Sequence, residues 1–480
     1  MVLFTLHHCS FSSLLWVSNK NNFYFEALKK PQSMKNNIIS IGIFFDGTGN
    51  NGRNATSSHK LRKNNESYYA AVTNVYKLFT LFNGDQKHYI EGIGTLDGAE
   101  DSDFAMATCL NPPGYTGYSS QDKLKNAFAF IEDAVSDQTK EYHFFVYGFS
   151  RGSMLARNIS YELLKSDSKY KGNITIKFLG VFDTVESTPF NDYPVAVLPE
   201  VENALQICAV NECRYFFPLT GFFNDSKDRE DALLRSGNTV HKEIFVPGVH
   251  ADVGGGYLEA SQSVYVTANH TKNQSIINYI DNIKAHTEDA DGHQIWNYPL
   301  EDYGIEEGII FSQGYVARDL VYSDLSKVYG RLMLAETNAV EPVFNTNFDA
   351  SNFEIDPEKH SYLVTLSKEI EEYTIELSRP LKPDYNYGKL ADYTHFSANF
   401  GLYPSSLLRN KEGQMDAELI NNGLNVPSNA QGELVNSVGA TLQSRVHFME
   451  DSIIDYAYGT NIPNNDQWSR TILVKENLYK

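Results

Sequence analysis

Apolar runs of strand length alternate with helix-like segments through the first half of the chain. Ile38–Phe45 (IISIGIFF) and Ile174–Phe182 (ITIKFLGVF) are almost continuously apolar, whereas Asp122–Val135 repeats its apolar residues at helical spacing. Near-continuous apolar strands separated by amphipathic helices are typical of a parallel sheet covered on both faces. The pattern therefore predicts an α/β protein with a mostly parallel sheet, helices on both faces, several insertions and a C-terminal extension.

Polar residues directly follow three of the predicted strands. The first strand is followed by DGTG (46–49), a later one by Asp183, and the strand Glu243–Val249 by His250. Open α/β sheets bind their ligands outside the carboxyl ends of the strands. We therefore expect the functional site at this edge of the sheet.

The segment 142–152 (YHFFVYGFSRG) carries a G-x-S-x-G pentapeptide between a predicted strand and a predicted helix. In this context the motif is typical of a nucleophile elbow, a tight and strained turn that exposes a serine. Gly148 and Gly152 fit that turn because it leaves no room for Cβ atoms beside the serine. Ser150 is therefore the predicted catalytic nucleophile, and an ordinary strand-to-helix turn is the alternative.

A serine hydroxyl is a weak nucleophile, so it needs a base and an acid that orients the base. Hydrolases with a strand–elbow–helix serine carry these residues in the order serine, acid, histidine. Asp183 and His250 supply that order at predicted strand ends. Among the 13 histidines, His395 remains a rival for the base, and Asp252 remains a rival for the acid. Asp252 could instead cap the glycine-rich turn that follows His250.

The negative oxygen of a tetrahedral intermediate needs two backbone N–H donors. One is predicted to be the N–H of Arg151, at the start of a helix whose dipole also favours negative charge. The other is predicted in the loop after the first strand, at Gly47 or Thr48, with Asp46 in support. This loop is not a phosphate-binding loop, because no Lys-Ser/Thr pair follows its glycines. A mechanism of this kind calls for no metal and no cofactor.

Charge and composition narrow the classes of partner. The chain has 480 residues, 60 of them acidic and 40 basic, and its net charge is −20. This charge argues against a nucleic-acid partner and against docking on anionic membranes by charge alone. The abundant aromatic residues are compatible with an apolar docking surface, for which Arg214–Phe223 (RYFFPLTGFF) is a candidate, with Phe222 and Phe223 at the interface. A buried core segment is the alternative for this run.

Three regions are predicted along the chain. Residues 1–33 lack a basic leader and a cleavage site, so they are predicted to be a non-native or disordered N-terminal extension rather than a secretion signal. Residues 34–330 are predicted to form the catalytic domain with its insertions. Residues 331–480 are predicted to form a C-terminal extension, lid or docking region, or a further part of the same domain. No window has the roughly 18 unbroken apolar residues of a transmembrane helix.

Five motifs in a fixed order carry a family resemblance. They are FFDGTGNN (44–51), TNVYKL (73–78), GFSRG (148–152), GVFDTV (180–185) and PGVHADVGGGY (247–257). Together they resemble the α/β-hydrolase-like family of uncharacterised proteins that includes type VI secretion phospholipase effectors. The resemblance covers roughly residues 36–260, and its last motif is the most specific. It implies an α/β-hydrolase-like fold with a triad of Ser150, Asp183 and His250.

The resemblance also implies an activity and a setting. The expected activity is that of a serine esterase of the phospholipase A type, which hydrolyses membrane glycerophospholipids as an antibacterial toxin. The expected partners are a spike protein of the secretion machinery and a cognate immunity protein. The chain would be made in a bacterial cytoplasm without a signal peptide and delivered to the periplasm or membrane of a target cell. A carboxylesterase or thioesterase with a soluble substrate and a non-catalytic binding module are the alternatives.

Overall fold

The apolar runs of the sequence form strands of a central sheet. A computed structural model describes residues 37–61, 65–170, 172–223, 226, 228–308, 311–377, 382–400, 463 and 468–473 of the chain. The predicted extension 1–33 lies outside the described residues. The strands are β1 (Ile38–Phe45), β2 (Gln86–Ile90), β3 (Glu141–Phe149), β4 (Ile174–Phe182), β5 (Asn203–Ala209), β6 (Leu219–Thr220), β7 (Ala232–Ser236), β8 (Thr239–Val246), β9 (Ala260–Tyr265), β10 (Gly304–Glu307), β11 (Ser312–Val321) and β12 (Ile472–Leu473).

Seven of these strands form the central sheet, in the spatial order β2-β1-β3-β4-β5-β8-β7. β1 pairs with β2 in parallel, and β4 pairs in parallel with both β3 and β5. β5 also pairs in parallel with β8, and the edge strand β7 pairs antiparallel with β8. The carboxyl ends of β3, β4 and β8 therefore meet at one edge of the sheet.

Helices connect and cover the strands. They are α1 (Gly52–Thr56), α2 (Asn74–Leu81), α3 (Asp103–Thr108), α4 (Ser120–Ala134), α5 (Arg151–Leu164), α6 (His250–Gly254), α7 (Asn273–His286), α8 (Leu325–Val340), α9 (Ser361–Glu376) and α10 (Tyr387–Leu390). Capping side chains fix where several of them begin. The Thr73 hydroxyl accepts the Tyr76 N–H at the start of α2, and the Ser119 hydroxyl accepts the Asp122 N–H at the start of α4.

The two faces of the sheet bury separate cores, because side chains alternate along each strand. Phe145, Tyr147 and Phe149 of β3 belong to one core, which also contains residues of α8 and Trp468. Phe144 and Val146 belong to the other, which contains residues of α4 and α5. Residues beyond position 330 thus share a core with the central sheet. Among the described residues, no helix is long and apolar enough to cross a bilayer.

Two smaller sheets lie outside the central one. β9, β10 and β11 form an antiparallel sheet in the order β10-β11-β9. β12 pairs in parallel with β6, so the end of the described chain is tied to the segment that follows β5.

Candidate active site

Ser150 lies on a strained turn between β3 and α5. Its backbone has φ of 58° and ψ of −128°, a conformation that a non-glycine residue rarely adopts. A Cβ at Gly148 would lie 2.5 Å from the carbonyl oxygen of Gly152. A Cβ at Gly152 would lie 2.3 Å from the carbonyl oxygen of Asp46. Only glycine fits at these two positions, which is the geometry of a nucleophile elbow.

The predicted acid and base are in direct contact. Nδ1 of His250, the first residue of α6, lies 2.5 Å from Oδ2 of Asp183, which follows β4. The other carboxylate oxygen, Oδ1, accepts the N–H of Ala209 at 2.8 Å. Both side chains are buried. This contact assigns the Nδ1 proton to the bond with Asp183 and leaves Nε2 as the basic nitrogen of a neutral ring.

Burial and the Asp183 carboxylate act in opposite directions on the imidazole. Burial lowers the pKa of His250, the contact with Asp183 raises it, and the net pKa lies below its ordinary value. Nε2 of His250 is buried and has no hydrogen-bond partner among the described residues. The ring is therefore neutral at neutral pH and has a vacant acceptor atom, as a general base requires.

Two phenylalanine rings hold the imidazole in place. The ring of Phe149, the residue before Ser150, has its centroid 4.5 Å from that of His250, and Phe217 lies 5.1 Å away on an edge-to-face contact. A Cβ at Gly254 would lie 2.0 Å from the Phe149 ring. Glycine at the end of α6 therefore lets the histidine turn pack against the elbow strand.

The loop after β1 is organised by a buried carboxylate. Asp46 accepts hydrogen bonds from the Gly47 N–H at 2.8 Å, the Thr73 hydroxyl at 2.7 Å and the Tyr89 hydroxyl at 2.6 Å. Burial raises the pKa of Asp46 to about 6, although these three donors oppose the change. Asp46 thus shapes the loop through hydrogen bonds to its own neighbours.

The contact of Asp46 with the Gly47 N–H distinguishes Gly47 from Thr48, the two candidate oxyanion donors of this loop. The Gly47 N–H is already engaged by Asp46, so it has no free hydrogen for a substrate oxygen in this conformation. Thr48 has its Oγ1 buried without a hydrogen-bond partner among the described residues. The side chain of Arg151, the other predicted donor residue, is directed to Cys109 Sγ at 3.2 Å and the Ser187 carbonyl at 3.3 Å. Of Gly47 and Thr48, Thr48 is therefore the better candidate for the second oxyanion donor.

Asp252 and His395, the alternative candidates for the acid and the base, bind each other. Oδ1 of Asp252 lies 2.6 Å from Nδ1 of His395, and Oδ2 accepts the N–H of His395 at 3.0 Å. Oδ2 also accepts the N–H of Val249 at 3.0 Å, which caps the first turn of α6. His395 further stacks on Tyr257, with ring centroids 4.1 Å apart. Asp252 is thus engaged in a separate pair and in capping, whereas Asp183 contacts His250.

Sequence analysis missed three charged residues around the Asp183–His250 pair. Nη1 of Arg470 lies 3.0 Å from Oδ2 of Asp183. Arg214 forms an ion pair with Glu212 at 2.9 Å, and Glu212 accepts the N–H of His250 at 3.2 Å. Glu212 and Arg214 follow the end of β5, a strand that the apolar pattern did not predict. Nothing in the spacing of motifs points to Arg470, which is 287 positions from Asp183.

The aromatic segment 214–223 is exposed near its start and buried near its end. Phe222 is fully buried and packs under the guanidinium of Arg157, so it cannot dock on a membrane. Phe223 is half-buried. Tyr215 and Phe216 are instead 56% and 50% exposed, and the Phe216 carbonyl accepts the Ser187 hydroxyl at 2.7 Å. Of the two interpretations left open for this run, the buried core segment is confirmed for Phe222, and the interfacial interpretation is wrong for that residue.

One group of the described residues places possible metal ligands together. Asp289, Asp291 and His293 have ligand atoms within 4.8 Å of one another. Asp289 already accepts from Tyr387 at 3.0 Å, and Asp291 lies 3.3 Å from the Lys382 ammonium. None of the predicted catalytic residues belongs to this group.

The parallel sheet, the strained serine turn and the strand-end residues define an α/β-hydrolase-like protein. Residues 40–166 and 160–279 match the family described as the type VI secretion system phospholipase effector Tle1-like catalytic domain. These segments span half of the chain, and the chain belongs to this family. The family resemblance inferred from the motifs is thereby confirmed, as is the assignment to phospholipase effectors.

One solved structure supports the fold. A structure of the Tle1 effector bound to the VgrG spike from the type 6 secretion system is similar over 92% of this chain and 94% of that chain, with a TM-score of 0.56 and 17% identity. A crystal structure of an uncharacterized protein from Pseudomonas aeruginosa covers 89% of this chain and 60% of that chain, with a TM-score of 0.35 and 16% identity. No curated protein sequence matches the chain at a significant level. The first similarity confirms the predicted α/β-hydrolase-like fold.

Proposed function

We propose that the protein hydrolyses carboxylic ester bonds of membrane glycerophospholipids through a triad of Ser150, Asp183 and His250. The observation that carries the proposal is the 2.5 Å contact between Nδ1 of His250 and Oδ2 of Asp183, held against the residue that precedes the strained Ser150. The family of phospholipase effectors supplies the substrate class. No metal or cofactor takes part in this reaction.

In the acylation step, Oγ of Ser150 attacks the carbonyl carbon of the ester while Nε2 of His250 accepts its proton. Asp183 keeps the Nδ1 proton in place and stabilises the imidazolium that forms. The N–H groups of Arg151 and Thr48 bind the oxyanion of the tetrahedral intermediate. When that intermediate collapses, the C–O bond to the lipid alkoxide breaks, and His250 returns the proton to release a lysophospholipid.

Deacylation repeats the same proton movements with water as the nucleophile. His250 removes a proton from water, the resulting hydroxide attacks the acyl-serine carbonyl, and Ser150 leaves with the proton that His250 returns. The products are a free fatty acid and the regenerated enzyme. The buried, neutral imidazole fits both steps because its pKa lies below the ordinary histidine value.

Exposed aromatic residues beside the elbow support a lipid substrate. Tyr215 and Phe216 form an edge-to-face pair with ring centroids 4.9 Å apart. The Phe216 carbonyl is tied to Ser187, whose own carbonyl accepts from the Arg151 side chain. The pair is therefore connected to the residue next to the nucleophile. Aromatic side chains of this kind enter the interface of a bilayer without requiring a basic surface.

Setting and partners follow by similarity. In a solved structure the Tle1 effector is bound to a VgrG spike, and we propose that a spike protein carries this chain as well. A cognate immunity protein would protect the producing cell, and the site of action would be the periplasm or membrane of a target bacterium. Within the chain, residues 34–330 would form the catalytic domain, and 331–480 an extension that completes its core.

The deciding experiment measures release of fatty acid and lysophospholipid from liposomes of phosphatidylethanolamine and phosphatidylglycerol. The Ser150→Ala variant should lose activity by on the order of 10³-fold or more. Ser153→Ala is the matched control, because Ser153 lies in the next turn and its hydroxyl donates to the Phe182 carbonyl at 3.0 Å. Equal activity of Ser150→Ala and the wild type would refute the proposal. Hydrolysis of p-nitrophenyl butyrate without liposome hydrolysis would instead indicate an esterase with a soluble substrate.

A further inference from the structure

Arg470 is held beside the candidate triad by a firmly anchored segment. Two residues earlier, the indole of Trp468 packs edge-to-face on Trp296 with ring centroids 5.2 Å apart, and Trp296 Nε1 donates to the Trp468 carbonyl at 3.1 Å. Two residues later, Ile472 begins β12, which pairs with β6. Anchors on both sides therefore fix the position from which the Arg470 side chain enters the core.

The guanidinium of Arg470 has few partners for a buried group. Nη1 lies 3.0 Å from Oδ2 of Asp183 and 3.2 Å from the carbonyl oxygen of Ala209. Nε and Nη2 are buried and have no hydrogen-bond partner among the described residues. Leaving buried donors unpaired is costly, so this placement is not explained by hydrogen bonding alone. The position is better explained by the charge that Arg470 brings to Asp183.

Arg157 shows what a structural arginine looks like in the same molecule. Its Nε, Nη1 and Nη2 donate to the carbonyl oxygens of Val195, Thr220 and Gly221 at 2.8, 2.9 and 3.2 Å. Arg157 thus joins α5 to two other backbone segments and uses each of its guanidinium nitrogens. Arg470 instead shares with His250 a single oxygen of the proposed catalytic acid.

We propose that Arg470 is a positioning residue for the hydrolysis, which holds Asp183 ionised toward His250 and keeps His250 in its neutral, basic form. This inference rests on the proposed function of the triad. Because Arg470 and His250 bind the same carboxylate oxygen, Arg470 both fixes the orientation of the carboxylate and offsets its charge. An imidazolium at His250 is then less stabilised than beside an unshielded carboxylate.

The surrounding charges balance when Arg470 is present. Among the described residues, the charged groups that act on the pair of Asp183 and His250 are Arg470, Arg214 and Glu212, and the titratable Cys208 and Tyr257 lie near these groups. Burial raises the pKa of the Cys208 thiol and of the Tyr257 hydroxyl, so both are neutral. Among these described groups, the two carboxylates of Asp183 and Glu212 and the two guanidiniums of Arg214 and Arg470 carry charge, and their charges cancel. Removing Arg470 would leave one negative charge in excess and would raise the affinity of His250 for a proton.

The pKa of the acid agrees with this balance. Burial raises the pKa of Asp183, but Arg470 is the strongest opposing influence, followed by His250, and the net pKa is lowered. Asp183 therefore stays ionised throughout the range in which His250 works.

The test compares pH profiles of kcat/KM for p-nitrophenyl butyrate in the full chain. In Arg470→Gln the acidic limb should move to higher pH by on the order of one unit, the effect of one full charge at close range. Arg470→Lys keeps the charge and should keep the wild-type limb. Arg157→Gln is the structural control, which should lower stability and leave the limb in place. An unmoved limb in Arg470→Gln would overturn the proposal.

A second measurement is independent of catalysis. In a Ser150→Ala background, histidines labelled with ¹³C at Cε1 are titrated by NMR, and the His250 signal is identified by its loss in His250→Gln. The signal should titrate at higher pH when Arg470 is glutamine. Unchanged titration would refute the role of Arg470 even if the enzyme is active, whereas a shift in an inactive enzyme would refute only the proposed hydrolysis.

Folding of the variants is followed by the fluorescence of Trp468 and Trp296. If Arg470→Gln does not fold, the acidic limb of the kcat/KM profile of Arg470→Lys is the test of the proposal. A charge-based role predicts the wild-type limb in the lysine variant, and a limb displaced by on the order of one pH unit would overturn the proposal.

Discussion

His395 and Asp252 form a buried hydrogen-bonded pair of their own, with 2.6 Å between Nδ1 and Oδ1. The pair joins the segment around His395 to the first turn of α6, because Asp252 also accepts the Val249 N–H. Two histidine–aspartate pairs therefore flank the same short helix. Their different partners allow the roles of the two aspartates to be separated by experiment.

Asp183→Asn should lose on the order of 10³–10⁴-fold in kcat while the protein remains folded, because an amide favours the wrong histidine tautomer. Asp252→Asn should keep most of its activity per folded molecule. It should lose about 1–3 kcal/mol of unfolding free energy, since its buried hydrogen bonds are weakened. Ester hydrolysis and urea unfolding measure the two effects. The reverse pattern would assign the acid to Asp252.

The acidic limb of the wild-type kcat/KM profile should lie below the ordinary histidine pKa of about 6.5. The reason is the burial of His250, which disfavours the imidazolium more than Asp183 favours it. As the pH falls, the base therefore remains neutral, and activity is retained until the lowered pKa is reached. Stopped-time assays of a soluble ester between pH 4 and 8 give the limb. A limb above the ordinary value would contradict the neutral, desolvated imidazole.

Asp46 should make stability depend on pH near neutrality. Its folded-state pKa of about 6 lies above the ordinary aspartate value of 3.8, so its contribution to the unfolding free energy is fully present below about pH 4. That contribution is lost as the pH rises through about 6. The difference in unfolding free energy between the wild type and Asp46→Asn should therefore fall by on the order of 1–3 kcal/mol between pH 4 and 7. Denaturant unfolding at several pH values checks this, and a pH-independent difference would contradict it.

Tyr215→Asp combined with Phe216→Asp should reduce liposome hydrolysis at least about tenfold more than hydrolysis of p-nitrophenyl butyrate. Charged side chains at the bilayer interface remove apolar contact and repel anionic headgroups. Phe222→Asp is the matched control, because the buried Phe222 should cause unfolding and parallel loss on both substrates. Equal loss in the surface variant, or none on either substrate, would remove Tyr215 and Phe216 from membrane docking.

The strands that sequence analysis predicts well are those with near-continuous apolar runs. β1 and β4 have the bounds that their runs indicate, and α4 (Ser120–Ala134) covers the helical pattern of Asp122–Val135 except for its last residue. β5 was missed because Gln206 interrupts its apolar pattern. In the folded protein Gln206 is fully buried and donates to Glu243 at 2.7 Å and to the Thr220 carbonyl at 3.0 Å. Hydrogen bonds to Glu243 and Thr220, which are distant in sequence, thus allow the polar Gln206 to occupy the buried strand β5.

For the candidate site, local sequence was informative where a residue directly follows a strand. Ser150 and Asp183 directly follow β3 and β4, His250 lies four residues after the end of β8, and the parallel sheet brings these strand ends together. Arg470 and the exposed Phe216 depend on how later segments pack, which no local pattern encodes. The same reason applies to Phe222, which is buried in the core and packs under the guanidinium of Arg157.

Gly152 lies against the carbonyl oxygens of Phe45 and Asp46, at distances of 2.5 and 2.3 Å from where a Cβ would stand. The serine turn and the loop after the first strand therefore have only one way to fit together, although about a hundred residues separate them in the chain. A substitution at Gly152 would therefore act on both segments, because a side chain there would displace the end of β1 and the loop that carries the proposed oxyanion donor. The two motifs should accordingly be inherited, lost or transplanted into another scaffold as one unit.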